Sequence, residues 1–269
     1  MLKVQLKQTV CSPVFLVSCL SLYLLLILQE IQVFTNPGLI EQGLLSEYLE
    51  WYFEEKTIGG LLSDHMGGSA AGSFFCIMVV LPTVWYRSKH WEGETYYTLL
   101  RSGKREYYLG NIGSAILSSM LMAGLALLLY CITLGLIGFH FGPSRWEEWY
   151  TDQALIFLAG QGWYPLITGF YILTRMMYAA VCCMESLVLS AFISDRYLLV
   201  GMPYVCVWGI SLIADMNGLP LLSPSRIPLD VFEVHEGGSI LYSTVYSVIL
   251  CALLGLIYWR RCERRLRHG

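Results

Sequence analysis

The stretch from Ile112 to Phe139 contains no charged residue, and that single feature limits what the chain can fold into. A spanning helix needs roughly 20 consecutive mostly apolar residues, and a run this long in water would find no partner large enough to cover it. Five further apolar stretches accompany it. The six expected spans lie at about 11–33, 67–87, 107–139, 163–194, 197–214 and 239–259. The fold class that follows is all-α: one polytopic transmembrane domain over residues 1–269. Composition agrees: 14% of residues are charged, where a soluble domain usually carries about 25%.

The second span is the weakest, because Gly67, Gly68, Gly72 and Pro82 lower its helix propensity. Small residues and proline are nonetheless tolerated in membranes, where neighbouring helices satisfy freed backbone groups. The fourth and fifth spans are separated only by Ser194-Asp195-Arg196, which predicts a tight hairpin. Lys3 and Lys7 precede the first apolar stretch as in a secretion signal. That stretch is longer than a usual signal core and no small-x-small cleavage site ends it, so it reads as a retained span.

Charge sets the expected topology. With an even number of spans and the N-terminus inside, 13 of the 17 basic residues fall on the inner side, including Arg87, Lys89, Arg101, Lys104, Arg105 and the cluster from Arg260 to Arg267. Of the 20 acidic residues, 14 fall outside or at the outer edge. This sorting follows the positive-inside rule and places both termini in the cytoplasm, in a plasma membrane of bacterial type. Net charge is −3, which gives no reason to expect a nucleic-acid partner.

The outer loops carry structure of their own. Residues 39–62 interleave apolar and acidic residues at helical spacing, which predicts an amphipathic helix on the outer leaflet. Trp146, Trp149 and Trp163 suit interface anchors. Residues 216–238, with Pro220, Pro224 and Pro228 among apolar residues, suit a reentrant segment.

No catalytic constellation stands out. His235-Glu236 is followed by Gly237, Gly238 and Ser239, so there is no H-E-x-x-H; G-x-S-x-G and the phosphate loop G-x-x-x-x-G-K-[ST] are also missing. None of the nine cysteines has metal-ligand spacing. The chain is expected to be no enzyme by itself and to hold no cofactor.

The second inner loop is the most informative segment. Residues 91–111 read W-E-G-E-T-Y-Y-T-L-L-R-S-G-K-R-E-Y-Y-L-G-N: a short amphipathic helix, a basic turn, then entry into the third span. An ordinary positive-inside loop would account for the basic residues. The order of residues, however, resembles the loop of type-2 ATP-binding-cassette (ABC) transporter permeases of the export type. There an acidic residue precedes Gly and Thr, a Leu-Leu pair follows, and a turn with Arg and Ser leads into the third span. The matching residues are Glu92, Gly93, Thr95, Leu99, Leu100, Arg101, Ser102 and Arg105. The chain departs from that pattern in one extra residue between Gly93 and Thr95, in Gly103 where proline is frequent, and in Asn111 where lysine is common. The segment 190–204, with its tight turn and Pro203, is similar to the same family. The resemblance implies a coupling helix over 92–105 that docks on a separate ATPase subunit, a second permease protomer, and ATP and Mg held by the ATPase rather than by this chain.

Two charges fall inside the fourth span. Glu185, ten residues before Asp195, is expected near the bilayer centre. It is either a carboxyl hydrogen-bonded near Ser186 or Ser190, or a lining or coupling residue. Arg175, three turns outward, is expected to snorkel toward the outer interface. Glu30 and Asp215 are expected to be solvated at helix ends. Besides the ABC permease, a secondary transporter not coupled to ATP and a membrane sensor or assembly protein remain open.

Overall fold

The computed structural model describes residues 1–34, 52–53, 56–64, 70–91, 103–142, 153–219, 222–224 and 240–268. The described residues are mainly helical and include no strand: α1 (Leu2–Val10), α2 (Pro13–Phe34), α3 (Ile58–Asp64), α4 (Ala70–Trp91), α5 (Lys104–Ile137), α6 (Gln153–Gly160), α7 (Tyr164–Leu189), α8 (Arg196–Met216) and α9 (Ile240–His268). Five of these, α2, α5, α7, α8 and α9, are long and apolar enough to cross a membrane. α4 coincides with the remaining expected span. It has 22 residues, but its described apolar portion is only Phe74–Tyr86.

α7 is the axis of the bundle, with α5, α9, α4, α8 and the short α3 and α6 all packed on it. Its buried residues run from Ile167 to Val188 on nearly every face, the pattern of a helix enclosed by others rather than facing lipid. α2 and α5 run parallel: Cys19 lies against Met122 and Tyr23 against Thr133. α7 runs the other way, so that Arg175 meets Leu62 while Cys183 meets Thr83. The N-terminal helix α1, the head of α5 and the far half of α9 therefore share one end of the bundle.

Local chemistry explains the turns. The Asp195 carboxylate caps α8 by accepting from the Tyr197 and Leu198 amides at 2.8 and 3.1 Å. This cap makes the expected hairpin between α7 and α8, and the Ser186 hydroxyl closes it by donating to the Leu199 carbonyl at 2.9 Å. α5 ends at Gly138, whose φ of 120° lies where side-chain-bearing residues rarely go.

Several expectations need correction. Of the segment 39–62, the described part is not on the surface: Tyr52 and Thr57 to Leu62 are buried in the bundle. Gly59 permits this, since a Cβ there would stand 3.3 Å from the Thr168 hydroxyl. The fourth span stops at Leu189, short of 194. The last helix runs on through the basic tail to His268; Arg and Glu are good helix formers and need no burial to stay helical. The 216–238 segment falls mostly outside the described residues, as do Trp146 and Trp149. Trp163 is exposed, as an interface anchor requires.

Candidate functional site

The head of α5 is the described part of the expected coupling region. Glu92, Gly93, Thr95, Leu99, Leu100 and Arg101 lie outside the described residues. Arg105 is described: it sits with Lys104 and Glu106 in the first turn of α5, and all three are exposed. One turn further in, the helix becomes locked. Asn111 accepts a hydrogen bond from the Gln5 amide at 2.9 Å and donates one to the Tyr258 hydroxyl at 3.3 Å, so it ties α1 and α9 to α5. Tyr108 packs edge-on against Tyr258 with centroids 6.2 Å apart. Gly110 and Gly113 form the seat of α1. A Cβ on Gly110 would stand 2.4 Å from Gln5 Oε1, and one on Gly113 would stand 2.8 Å from a Leu2 methyl. Tyr86 of α4 donates to Gln8 at 2.9 Å, which fastens a third helix to the same junction. Arg261 of α9 lies 4.8 Å above the Phe192 ring in the α7–α8 turn. Sequence reasoning took the N-terminus as a charged lead-in and missed this junction.

Further in, small polar side chains join α4, α5 and α7. The Thr83 hydroxyl lies 3.4 Å from that of Ser118 and accepts from the Cys183 thiol at 3.1 Å. Cys76 lies 3.2 Å from the Tyr178 hydroxyl and 3.7 Å from Cys182. Such short groups let helices approach closely while satisfying each other. Among the described residues no cluster of three or more His, Cys, Asp or Glu could hold a metal ion.

Glu185 sits beside this layer and differs from it. It is 8% exposed, and its Oε2 has no hydrogen-bond partner. The expected serine partners are engaged elsewhere: Ser186 with Leu199, and Ser190 with the Leu187 carbonyl at 2.6 Å. The depth also changes. With α7 ending at Leu189, Glu185 is four residues, about 6 Å, from the helix end, in the half of the bundle that holds α1 and the α5 head rather than at its centre.

The opposite half holds two more charges that the sequence placed in solvent. Arg175 does not snorkel. It is fully buried, its Nη2 donates to the Leu62 carbonyl at 2.8 Å and its Nη1 to the Tyr171 carbonyl at 3.1 Å. Glu30 is likewise buried and accepts from the Tyr52 hydroxyl at 2.7 Å and from the Tyr130 hydroxyl. Asp215 is exposed as expected.

The class these features define is a multi-pass helical membrane protein with buried polar contacts between its spans. No family model matches the chain, and no characterised protein or solved structure matches it either.

Proposed function

We propose that the chain is the transmembrane permease subunit of an ABC transporter, moving substrate outward across the plasma membrane under the drive of a separate ATPase. α4 is the sixth crossing in this reading: its 22 residues extend about 33 Å, and it packs between α2, α7 and α8. Both termini then lie in the cytoplasm. Residues 92–105 are the docking segment, and the exposed faces of α8 and α9 meet lipid and a second permease protomer.

The observation that carries the proposal is where the 92–105 segment leads. It enters α5 at an exposed basic turn, and within two turns α5 is bonded to α1 and α9 through Asn111. A force applied at the loop would be delivered to the first and last helices together. An ordinary topogenic loop needs no such rigid continuation.

The test is affinity purification of the tagged protein in mild detergent, assayed for a co-purifying nucleotide-binding subunit and vanadate-sensitive ATPase activity. A stoichiometric ATPase, released by the double charge reversal Arg101→Glu and Arg105→Glu without loss of the protein from the membrane, is the expected result. A clean preparation with no nucleotide-binding partner would overturn the reading in favour of a transporter not coupled to ATP.

A further inference from the structure

The permease reading leaves the buried Glu185 unused. Its surroundings can be followed helix by helix. α4 brings Cys76, α8 brings Cys206, and α9 brings Tyr246 and Cys251 within electrostatic reach of the carboxyl. α7 itself adds Tyr178 and Cys182. α5, packed along the same helix, adds no titratable group to this shell. None of these groups is a cation. Arg175, fully buried on α7, is ten residues away, about 15 Å, and is held on the Leu62 and Tyr171 carbonyls; Arg261 of α9 lies over the Phe192 ring.

Among the described residues Glu185 Oε2 has no hydrogen-bond partner, and a buried charge left so is neutralised rather than tolerated. The surround is closely packed: Cys182, Cys183 and Met184 are wholly buried. A proton is the ligand that such a space takes without rearrangement. The site also has a side. It lies one turn from the α7 end that shares the inner face with α1 and the α5 head, so the proton exchanges with that side.

We propose that Glu185 is a proton-binding site, loaded while α8 is closed on α4 and α7 and discharged toward the inner side when α8 parts from them and admits water. Ionisation leaves a carboxylate that only the opened, hydrated arrangement accommodates. Proton release and separation of these helices are thus one event, and a change of inner-side pH shifts the balance between closed and open bundles. This inference rests on the membrane-spanning fold and not on the ATPase partner.

The test is infrared spectroscopy of the full chain in lipid nanodiscs at neutral pH, comparing wild type with Glu185→Gln. The expected result is a protonated-carboxyl carbonyl band that shifts in heavy water, disappears in Glu185→Gln and persists in Glu30→Gln. A difference spectrum showing only a carboxylate band would overturn the proposal. Should Glu185→Gln fail to fold, Glu185→Asp serves: a displaced protonated band supports the site, and its absence refutes it. As a second reading, unfolding in weakly buffered dodecyl sulfate at neutral pH should release one more proton from wild type than from the glutamine variant. Equal release would refute the site. Neither measurement involves ATP, so either result leaves the permease reading to its own test.

Discussion

The seat of α1 offers a comparison in which two chemically identical substitutions should differ in outcome. At Gly110 an added Cβ would lie 2.4 Å from Gln5 Oε1 and 3.3 Å from Gln5 Cδ. The Gln5 amide must move, and its movement breaks the 2.9 Å bond to Asn111. A net hydrogen bond is worth about 1 kcal/mol, and leaving the buried Asn111 oxygen unpaired adds about 1–3 kcal/mol. Alanine gains about 1 kcal/mol over glycine in a helix, less where the unfolded chain keeps its helices in the bilayer. Gly110→Ala is therefore expected to destabilise by about 1–3 kcal/mol. At Gly113 the contact is with the tip of Leu2, 40% exposed and free to swing aside, so Gly113→Ala should stay within about 0.5 kcal/mol of wild type. Thermal unfolding in detergent gives the order, and amide exchange over residues 2–10 shows whether α1 has lifted. Combining Gly110→Ala with Gln5→Ala removes the clash, so the double variant should cost no more than Gln5→Ala alone. If Gly113→Ala is the costlier of the two, or if Gly110→Ala leaves α1 fully protected, the seat is not built as described.

Two further substitutions test the half of the bundle away from α1, each read by the same thermal assay. Tyr130→Phe removes a donor from buried Glu30 without changing shape and is expected to cost about 1.5–3 kcal/mol, the range for a hydrogen bond to a charged group; an unchanged midpoint would mean the carboxyl does not depend on it. Arg175→Ala strips donors from the Leu62 and Tyr171 carbonyls and empties a fully buried site, at about 3–5 kcal/mol, with faster amide exchange over 58–64. Arg175→Met, which refills the space without a charge, should recover part of that loss.

The sequence made the spans legible because lipid leaves only one way to satisfy a backbone, and long uncharged runs announce it. Helix ends were less visible. The residues after Leu189 are Ser190, Ala191, Phe192 and Ile193, as apolar as the helix before them, because the turn they form is itself partly buried. Hydropathy cannot stop a helix where the chain bends under cover. The same blindness runs outward at α9, where Arg and Glu ended the apolar run but not the helix. Long-range partners were the least legible of all. Glu30 is bonded to a tyrosine 100 residues away, and Asn111 to residues 106 and 147 positions away. Nothing in the spacing of a carboxylate near a helix end distinguishes solvent from two tyrosines. A glycine pair such as Gly110 and Gly113 was the one local signal, since small residues three apart on a helix permit close approach of another.

Apolar area alone does not decide how these helices pair, because lipid is as apolar as a leucine side chain. The polar contacts and small residues therefore set register, and their distribution assigns the bundle its stiff and yielding parts. α1, α4, α5, α7 and α9 are bonded together at the end that holds α1 through Gln5, Gln8, Tyr86, Asn111 and Tyr258, and through the Thr83–Cys183 layer beyond it. α8 is less enclosed: 28% of its apolar window is buried, against 67% for α7, and the Ser186–Leu199 bond ties it to α7 beside the hairpin. A disturbance entering at the α5 head should thus move the bonded group as a unit and find its compliance where α8 leans on α7 and α4. That boundary passes beside Glu185, the carboxyl whose ionisation would require it to open.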